Sequence, residues 1–324
     1  MSVKIANLAP NPDQMEYFER LAPKRDEIKW VDNGQPIEKQ AEELNGVVAV
    51  IVTPSEYSVE LAKLTPSVKL IQTVSAGTNR IDKVSLGELD IRVANNGGGN
   101  AVAVAEHTIS LIVSTYRKMQ LQFNSVRAGE WAGDIRSNWF SQAHEIAGMT
   151  IGIIGLGRIG SRVARRLQGW ECDIVYNDVV EMEEGLEDEL HLTRLSKDDL
   201  LQTSDIVTLH VPLNGSTHHM ISDRDFDLMK PTAVLINACR GPVVDEDALV
   251  RAIRDNKIAA AGLDVTEVEP TPPDNPLFEF DNVLITPHLA AFARESTERS
   301  RGFAIYNASK VARGEEPESI VVPD

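Results

Sequence analysis

Short apolar segments alternate with amphipathic ones through the first third of the chain. Strands are predicted where the apolar runs fall, at residues 3–8, 47–52, 69–74 and 91–94. Between them, the segments PDQMEYFERLA and PIEKQAEELN carry apolar residues at helical spacing and polar residues on the opposite face. An alternation of strands and helices predicts a parallel sheet.

A second series of the same kind begins near residue 150. Its predicted strands are MTIGIIG, CDIVYND, SDIVTLH, TAVLINA, IAAAGLDV and NVLITP. After them, residues 291–313 form a long amphipathic segment, which predicts a helix that ends at Gly314. The whole pattern is that of an α/β protein with two parallel sheets.

The glycine cluster NNGGGN at residues 95–100 separates the two series and predicts a hinge or a domain boundary. Asn100 is placed to cap a single long helix, AVAVAEHTISLIVSTYRKMQ. Because the chain ends on a helix after the second series, we expect it to return to its first domain. The expected domains are residues 1–99 with 289–324, and residues 100–288.

Composition narrows the class of protein. The chain has 324 residues, of which 42% are hydrophobic and 25% charged, as in an ordinary globular protein with more than one domain. Its formal net charge of −17 disfavours nucleic acid and anionic membranes as partners. The sequence has neither a secretory signal pattern nor an apolar run of about 18 residues. Two cysteines provide neither a disulfide framework nor a metal cluster, so we expect a cytoplasmic protein without a metal.

The stretch TIGIIGLGRIG is the first motif with a mechanism. Gly155, Gly157 and Gly160 form G-x-G-x-x-G between a predicted strand and a predicted helix. The first glycine permits a tight turn, the second lets the backbone approach a pyrophosphate, and the third lets the helix pack on the strand. The helix N-terminus supplies N–H groups for that anion.

Asp178 follows 18 residues after Gly160, at the end of the next predicted strand. A carboxylate at that distance accepts hydrogen bonds from the adenosine ribose and repels a 2′-phosphate, which favours NAD over NADP. The alternative interpretation is an acid in a turn at the strand end.

Three later strands each deliver a chemically useful side chain just past their ends: Arg240, Glu269 and His288. An arginine holds a carboxylate with two hydrogen bonds, and a histidine transfers a proton. A glutamate beside the histidine orients its ring and favours its protonated form. Taken singly, each also fits an ordinary surface or loop residue.

Further stretches extend this pattern over nearly the whole chain. They are TVSAGTNRID at 73–82, NAVAVAEHT at 100–108, LLQTSDIVTLHVPLNGSTHHMI at 200–221, MKPTAVLINACRGPVVDEDAL at 229–249, AAGLDVTEVEP ending at Pro270, and NVLITPHLA at 282–290. With the glycine loop and Asp178, they make the chain resemble the D-isomer-specific 2-hydroxyacid dehydrogenase family. The resemblance implies two Rossmann-like domains, with the NAD-binding domain inserted into a flavodoxin-like substrate-binding domain.

The resemblance also implies roles for individual residues. The catalytic set is Arg240, Glu269 and His288, with His288 as acid/base. Substrate binding falls to Ser75, Ala76, Gly77 and Arg240, with the backbone N–H groups of Ala76 and Gly77 facing the substrate carboxylate. The cofactor-binding set is Val104, Gly155, Gly157, Arg158, Ile159, Gly160, Asp178, His210, Val211, Pro212, Ala238, Cys239 and Asp264. Of these, Asp264 would hold the nicotinamide carboxamide, and His210, Val211 and Pro212 would line the adenine pocket.

The implied activity is NAD-dependent interconversion of a small 2-hydroxy acid and its 2-keto acid, in a homodimer. Glu269 disfavours a formate-oxidising member, which carries glutamine there, and Ala76 disfavours a phosphite-oxidising member, which carries lysine. The alternative function is a non-catalytic NAD(H) sensor that resembles C-terminal binding protein corepressors.

Several residues have no assigned role at this stage. Cys239, beside Arg240, could act as a nucleophile, although the sequence places no base for it. The roles of Tyr57, Arg80, Trp131 and Trp139 stay open, as does the identity of the hydroxy acid.

Overall fold

The computed structural model of the chain describes residues 4–22, 28–131, 143–182 and 184–323. Its strands are β1 (Ile5–Ala9), β2 (Ile28–Asp32), β3 (Ala49–Val52), β4 (Leu70–Thr73), β5 (Arg92–Ala94), β6 (Thr150–Ile154), β7 (Asp173–Asn177), β8 (Leu192–Arg194), β9 (Ile206–Leu209), β10 (Val234–Asn237), β11 (Ala260–Leu263) and β12 (Val283–Ile285). Its α-helices are α1 (Met15–Leu21), α2 (Ile37–Glu43), α3 (Val59–Leu64), α4 (Lys83–Glu88), α5 (Ala101–Tyr116), α6 (Met119–Arg127), α7 (Gly160–Leu167), α8 (Leu186–Glu189), α9 (Lys197–Thr203), α10 (Asp223–Leu228), α11 (Glu246–Arg254) and α12 (Arg294–Ala312).

The chain divides into two compact units. The first contains residues 1–100 and 292–324, and the second contains residues 101–291. The domain bounds expected from the sequence, residues 1–99 with 289–324 and residues 100–288, stay a prediction.

The first unit is built on a parallel sheet of strand order β2-β1-β3-β4-β5. Helix α12 covers one face of this sheet, where its Ala304, Ile305 and Ala308 join Ile5 and Ile51 in a buried cluster. The C-terminal helix therefore completes the core that the first strands begin.

The second unit has a parallel sheet of order β12-β11-β10-β9-β6-β7-β8. The chain runs outward from β6 to β8 and then returns to the other side of β6 with β9, so the order reverses there. In open α/β sheets, ligands bind at the carboxyl ends of the strands beside such a reversal. The strands on both sides are almost wholly buried, as a sheet covered by helices requires.

The strands predicted from apolar runs are all present, but two edge strands escape that pattern. In β2, IKWVD, only Val31 is buried, and in β8, LTR, only Leu192 is buried. Because an edge strand is partly exposed, it does not need a continuous apolar run.

The prediction of one long helix over 101–120 is wrong. Helix α5 ends at Tyr116, and α6 begins at Met119. Between them Lys118 has φ of +50°, in the left-handed region. A right-handed helix cannot continue through such a residue, so the segment becomes two helices.

Candidate active site

The site in the second unit is assembled by three neighbouring strands. Strands β10, β11 and β12 are adjacent and parallel, so their carboxyl ends lie at one edge of the sheet. Arg240 follows β10, Glu269 lies in the loop after β11, and His288 follows β12. The fold thus gives three distant parts of the sequence a common edge.

His288 and Glu269 are in direct contact. Nδ1 of His288 lies 2.8 Å from Oε2 of Glu269. Since a carboxylate only accepts, Nδ1–H is the donor, and Nε2 is the ring atom left to exchange a proton. The side chain of His288 is 46% exposed, so the ring remains accessible to a substrate.

The electrostatics of Glu269 favour its ionised form. Burial raises the pKa of Glu269, but the hydrogen bond from His288, the charge of His288, a backbone bond from Thr266 and the charge of Arg240 outweigh it. The net effect is a pKa below the ordinary value. A carboxylate that stays charged stabilises the positive charge on an adjacent imidazolium.

Asp264 fixes the segment that carries His288. Its carboxylate, which is 1% exposed, accepts hydrogen bonds from the Thr286 hydroxyl (2.6 Å) and from the backbone N–H groups of Leu289 (3.0 Å) and Ala290 (2.8 Å). The backbone carbonyl of Asp264 also accepts from the His288 N–H. These bonds hold His288 at φ of +53°, in the left-handed region that most side chains avoid. The nicotinamide role of Asp264 stays a prediction.

The backbone of Arg240 is held by the side chain of Asn237. The Asn237 amide donates to the Arg240 carbonyl (2.9 Å), and its oxygen accepts from the Cys239 N–H (3.0 Å). On the other side, Gly241 abuts the loop of Glu269, because a Cβ at Gly241 would lie 1.8 Å from the carbonyl oxygen of Thr266. The loops of Arg240 and Glu269 are therefore in backbone contact.

The glycine loop has the tight form that a dinucleotide site requires. Gly155 has φ of +92°, and a Cβ there would lie 2.7 Å from the His210 carbonyl oxygen. A Cβ at Gly160 would lie 2.1 Å from the Gly155 carbonyl oxygen. A Cβ at Gly157 would meet nothing within 4 Å, so space beside that residue is open to a ligand. These observations fit a loop that receives the pyrophosphate of NAD.

Asp178 lies beside this loop. Its Oδ2 accepts from the Leu156 N–H at 2.7 Å, and its Oδ1 accepts from the Val180 N–H at 2.9 Å. The carboxylate thus ties the glycine loop to the end of β7. Each oxygen has a second lone pair for a ribose hydroxyl, a role that remains a prediction.

The other predicted cofactor residues surround the loop. His210 and Val211 pack against Gly155, and Pro212 continues from them along the chain. Val104 and Ala238 belong to one buried cluster with the partly buried Ile159. Arg158 is exposed, and its carbonyl accepts from the Arg162 side chain.

Cys239 is not suited to nucleophilic chemistry. Its thiol is buried and donates to the Asn237 side-chain oxygen at 3.1 Å. Burial raises the pKa of this thiol to about 11, although bonds and charge from Arg240 lower it in part. The thiolate is the reactive form, so the geometry disfavours the nucleophile interpretation.

The predicted substrate loop, residues 75–77, lies in the first unit. Hydrogen bonds to its carbonyl and hydroxyl groups hold it in place. The Ser75 carbonyl accepts from the Thr73 hydroxyl (2.7 Å) and from the Asn96 N–H (3.1 Å). The Ser75 hydroxyl donates to the Gly77 carbonyl (3.0 Å) and lies 2.7 Å from that of Ser55. Ala76 is therefore carried between two fixed residues.

The residues without a role assigned from the sequence lie in different environments. Tyr57 belongs to the core, with its hydroxyl 2.8 Å from that of Thr65, and burial raises its pKa to about 12. Arg80 forms an exposed ion pair with Glu56 at 2.8 Å. Trp131 is 84% exposed. Trp139 lies outside the described residues.

The sequence provided no prediction for two histidines that contact residues near the site. His107 on α5 lies 3.1 Å from the Thr286 hydroxyl and 3.4 Å from the carboxylate of Asp264. His219 lies 2.7 Å from Oε1 of Glu267, two residues before Glu269. His107 and His219 lie far in sequence from the residues that they contact. For His219, the two consecutive histidines of STHHMI are a signal in the sequence.

Neither a metal cluster nor a membrane helix is found among the described residues. No group of three or more histidine, cysteine or acidic side chains could hold a metal ion there. Within the same ranges, every helix is too short or too polar to cross a bilayer.

Comparison with known proteins identifies the family. A family model described as D-isomer specific 2-hydroxyacid dehydrogenase, NAD binding domain, matches residues 109–290. The chain is 39% identical over 264 residues to a glyoxylate reductase of Thermofilum pendens, covering 81% of this chain and 77% of the relative. Among solved structures, the holo form of Rhodotorula graminis D-mandelate dehydrogenase has a TM-score of 0.88 at 26% identity, covering 99% of this chain and 98% of that one.

A glyoxylate reductase from Paecilomyes thermophila gives a TM-score of 0.85 at 28% identity, with 99% of each chain covered. The family model spans more than half of the chain and contains the glycine loop, Arg240, Glu269 and His288. The fold, the NAD-binding segment and the relatives agree. The chain belongs to the D-isomer-specific 2-hydroxyacid dehydrogenase family and is an NAD-dependent oxidoreductase that acts on 2-hydroxy and 2-keto acids.

Proposed function

We propose that this protein reduces a small 2-keto acid of the glyoxylate and hydroxypyruvate class, with His288 as the proton donor. The observation that carries the proposal is the 2.8 Å contact between His288 Nδ1 and Glu269 Oε2, beside the loop of Arg240. Relatives named glyoxylate reductase and glyoxylate/hydroxypyruvate reductase B support the choice of substrate class.

Each residue of this set has a defined role. The guanidinium of Arg240 holds the substrate carboxylate and stabilises the negative charge that develops on the carbonyl oxygen. The backbone N–H groups of Ala76 and Gly77 assist at the carboxylate. His288 donates the proton on Nε2 to the forming alkoxide, while Glu269 stabilises the imidazolium and fixes the ring. In the oxidation direction, Nε2 accepts the proton.

NAD fits the residues that surround the glycine loop. Gly157 offers open space to the pyrophosphate, and Asp178 accepts from the ribose hydroxyls and repels a 2′-phosphate. His210, Val211 and Pro212 line the adenine side, and Val104, Ala238, Cys239 and Asp264 the nicotinamide side. Bound NADH supplies the hydride that reaches the carbonyl carbon.

We assign substrate binding to residues 1–99 and 289–324, and the cofactor to residues 100–288. The protein is proposed to act as a homodimer in the cytoplasm. The exposed apolar side chains of Met119, Phe123 and Val126 on α6 support the dimer, because an apolar surface marks a contact site. A cavity of about 830 Å³ at the amino-terminal ends of β10 and β11 is lined by other residues of the same helix, Leu121, Asn124 and Ser125.

The test measures NADH oxidation by the purified protein with glyoxylate, hydroxypyruvate, pyruvate, 2-ketoglutarate, phenylpyruvate and branched-chain keto acids. NADPH is run in parallel, and light scattering reports the oligomeric state. We expect turnover with glyoxylate or hydroxypyruvate, and a preference for NADH.

The variant His288→Ala should lose turnover by about 10²-fold or more while still binding NADH. Arg240→Ala should lose activity chiefly through weaker keto acid binding. Near-wild-type turnover in His288→Ala would contradict the assignment of His288 as the proton donor. NADH binding without turnover on any keto acid would favour a sensor instead.

A further inference from the structure

A second histidine–glutamate pair lies close to the first. Nε2 of His219 is 2.7 Å from Oε1 of Glu267, and both side chains are about one-third exposed. The ring of His218 stacks on that of His219, with centroids 4.0 Å apart. His219 also shares the left-handed backbone of His288, with φ of +50°. This geometry requires Nε2–H to be the donor, since the carboxylate only accepts.

Glu267 is part of a wider set of bonds. Its Oε2 accepts from the Glu246 N–H at 3.1 Å, and its own N–H donates to Oε2 of Glu246 at 2.8 Å. The Asn275 amide donates to the other oxygen of Glu246 at 2.7 Å. An exposed ion pair alone contributes little, but this carboxylate also satisfies a backbone N–H at the start of α11.

His219 therefore connects three segments. Its backbone N–H donates to the Pro242 carbonyl at 2.8 Å, two residues beyond Arg240. Its side chain binds Glu267, two residues before Glu269. Gly241 and Thr266 close the gap between the two loops by backbone contact.

We propose that His219, through Glu267, is a positioning residue that holds Glu269 in register with His288 and Arg240. The proposal rests on the proposed function, in which the position of Glu269 affects the rate because Glu269 orients His288. The hydrogen bonds of His219 run to the Pro242 carbonyl and to Glu267, so its effect on Glu269 passes through Glu267. A displacement of a catalytic group by about 1 Å can cost as much as 10²-fold in rate, so a hold of this kind has a measurable effect.

The main variant is His219→Asn. Asparagine tolerates the left-handed backbone, but its amide is too short to reach Glu267. With glyoxylate, or the best substrate of the panel, we expect kcat to fall by about 10-fold while the KM of the keto acid changes by less than about 2-fold. The Kd of NADH should stay unchanged. His219→Gln restores a donor near the position of Nε2 and should recover most of kcat.

The matched control is His218→Asn, which removes the stacked neighbour and leaves the bond to Glu267 in place. It should keep kcat near the wild-type value. The variant His219→Asn combined with Glu269→Gln should be no slower than Glu269→Gln alone, because the effect passes through Glu269. A wild-type kcat in His219→Asn, an equal loss in His218→Asn, or an additive double variant would each overturn the proposal.

A readout that needs no activity separates this inference from the proposed function. The Nδ1–H proton of His288 is followed by NMR and assigned by its absence in His288→Asn. We expect its resonance to shift or broaden in His219→Asn and to stay in place in His218→Asn. An unchanged resonance overturns the inference even if no keto acid is reduced. If His219→Asn does not fold, Glu267→Asp breaks the same contact from the other side, with the same expected results.

Discussion

The two histidine–glutamate pairs of the second unit are alike in their local geometry and different in their surroundings. Nitrogen–oxygen distances are 2.8 Å for His288–Glu269 and 2.7 Å for His219–Glu267, and both histidines have φ near +50°. Glu267 uses its second oxygen for a backbone N–H at 3.1 Å, whereas the Thr266 N–H reaches the second oxygen of Glu269 at the longer distance of 3.4 Å.

The difference extends to the histidines. His219 directs Nε2 into its glutamate, while His288 uses Nδ1, which leaves Nε2 for the proposed proton transfer. One pair thus connects loops, and the other is available for proton transfer. A short histidine–carboxylate distance alone does not identify a catalytic pair; the nitrogen that is used and the neighbours of the carboxylate do.

The largest effect is expected from Gly241→Ala, which disturbs both pairs together. The added Cβ would lie 1.8 Å from the Thr266 carbonyl oxygen, so the two loops must separate. We expect a loss of kcat/KM of about 10²-fold or more and a lower Tm, measured by steady-state kinetics and calorimetry. Gly215→Ala is the control, since a Cβ there meets nothing within 4 Å. Full activity in Gly241→Ala would show that the backbone contact is unimportant.

The second prediction contrasts the two glutamates. Glu269→Gln removes the charge that stabilises the imidazolium, and kcat should fall by about 10²-fold. Glu267→Gln keeps one acceptor for its two donors, and kcat should fall by no more than about 10-fold. Parallel kinetics with the same keto acid make the comparison. Equal losses would contradict the division between a proton-transfer pair and a connecting pair.

A third histidine, His210, contacts a threonine instead of a carboxylate and provides a contrast to both pairs. Although His210 as a whole is only partly buried, its Nδ1 is closed to solvent and has no hydrogen-bond partner among the described residues, while Nε2 contacts Thr208. Burial lowers the pKa of His210 to about 3. In the unfolded chain this histidine binds a proton below about pH 6.5, whereas in the folded chain it stays neutral. The free energy of unfolding therefore falls as the pH drops from 6.5 towards 3.

Because of His210, the free energy of unfolding should be about 2 kcal/mol lower at pH 5 than at pH 7. In His210→Gln that part of the pH dependence should disappear, as measured by urea denaturation at both pH values. His191→Asn, at an exposed histidine with a left-handed backbone, should retain it. A pH dependence that persists unchanged in His210→Gln would show that it arises from other groups and that the pKa of His210 is not lowered in the folded wild-type protein.

Sequence alone predicts the parts of this molecule that depend on local pattern. Buried strands such as β6 and β10 have continuous apolar runs, and the motifs around Gly155 and His288 have recognisable spacing. The break at Lys118 has no such signal, because a single residue in the left-handed region interrupts an otherwise regular apolar spacing. The pair His219–Glu267 spans 48 residues and forms only when the strand ends meet. Tyr57, whose role the sequence leaves open, belongs to the core, because a residue that follows a strand can be buried.

The left-handed backbone at His288 has a consequence for protein engineering. A saturation library at this position samples two properties at once, because each substitution changes both the proposed proton donor and the conformational cost of φ at +53°. Valine and isoleucine variants would score worse than the lost chemistry alone requires, whereas asparagine and glycine would report the chemistry with little backbone penalty. Replacement of His288 by another side chain is restricted for the same reason.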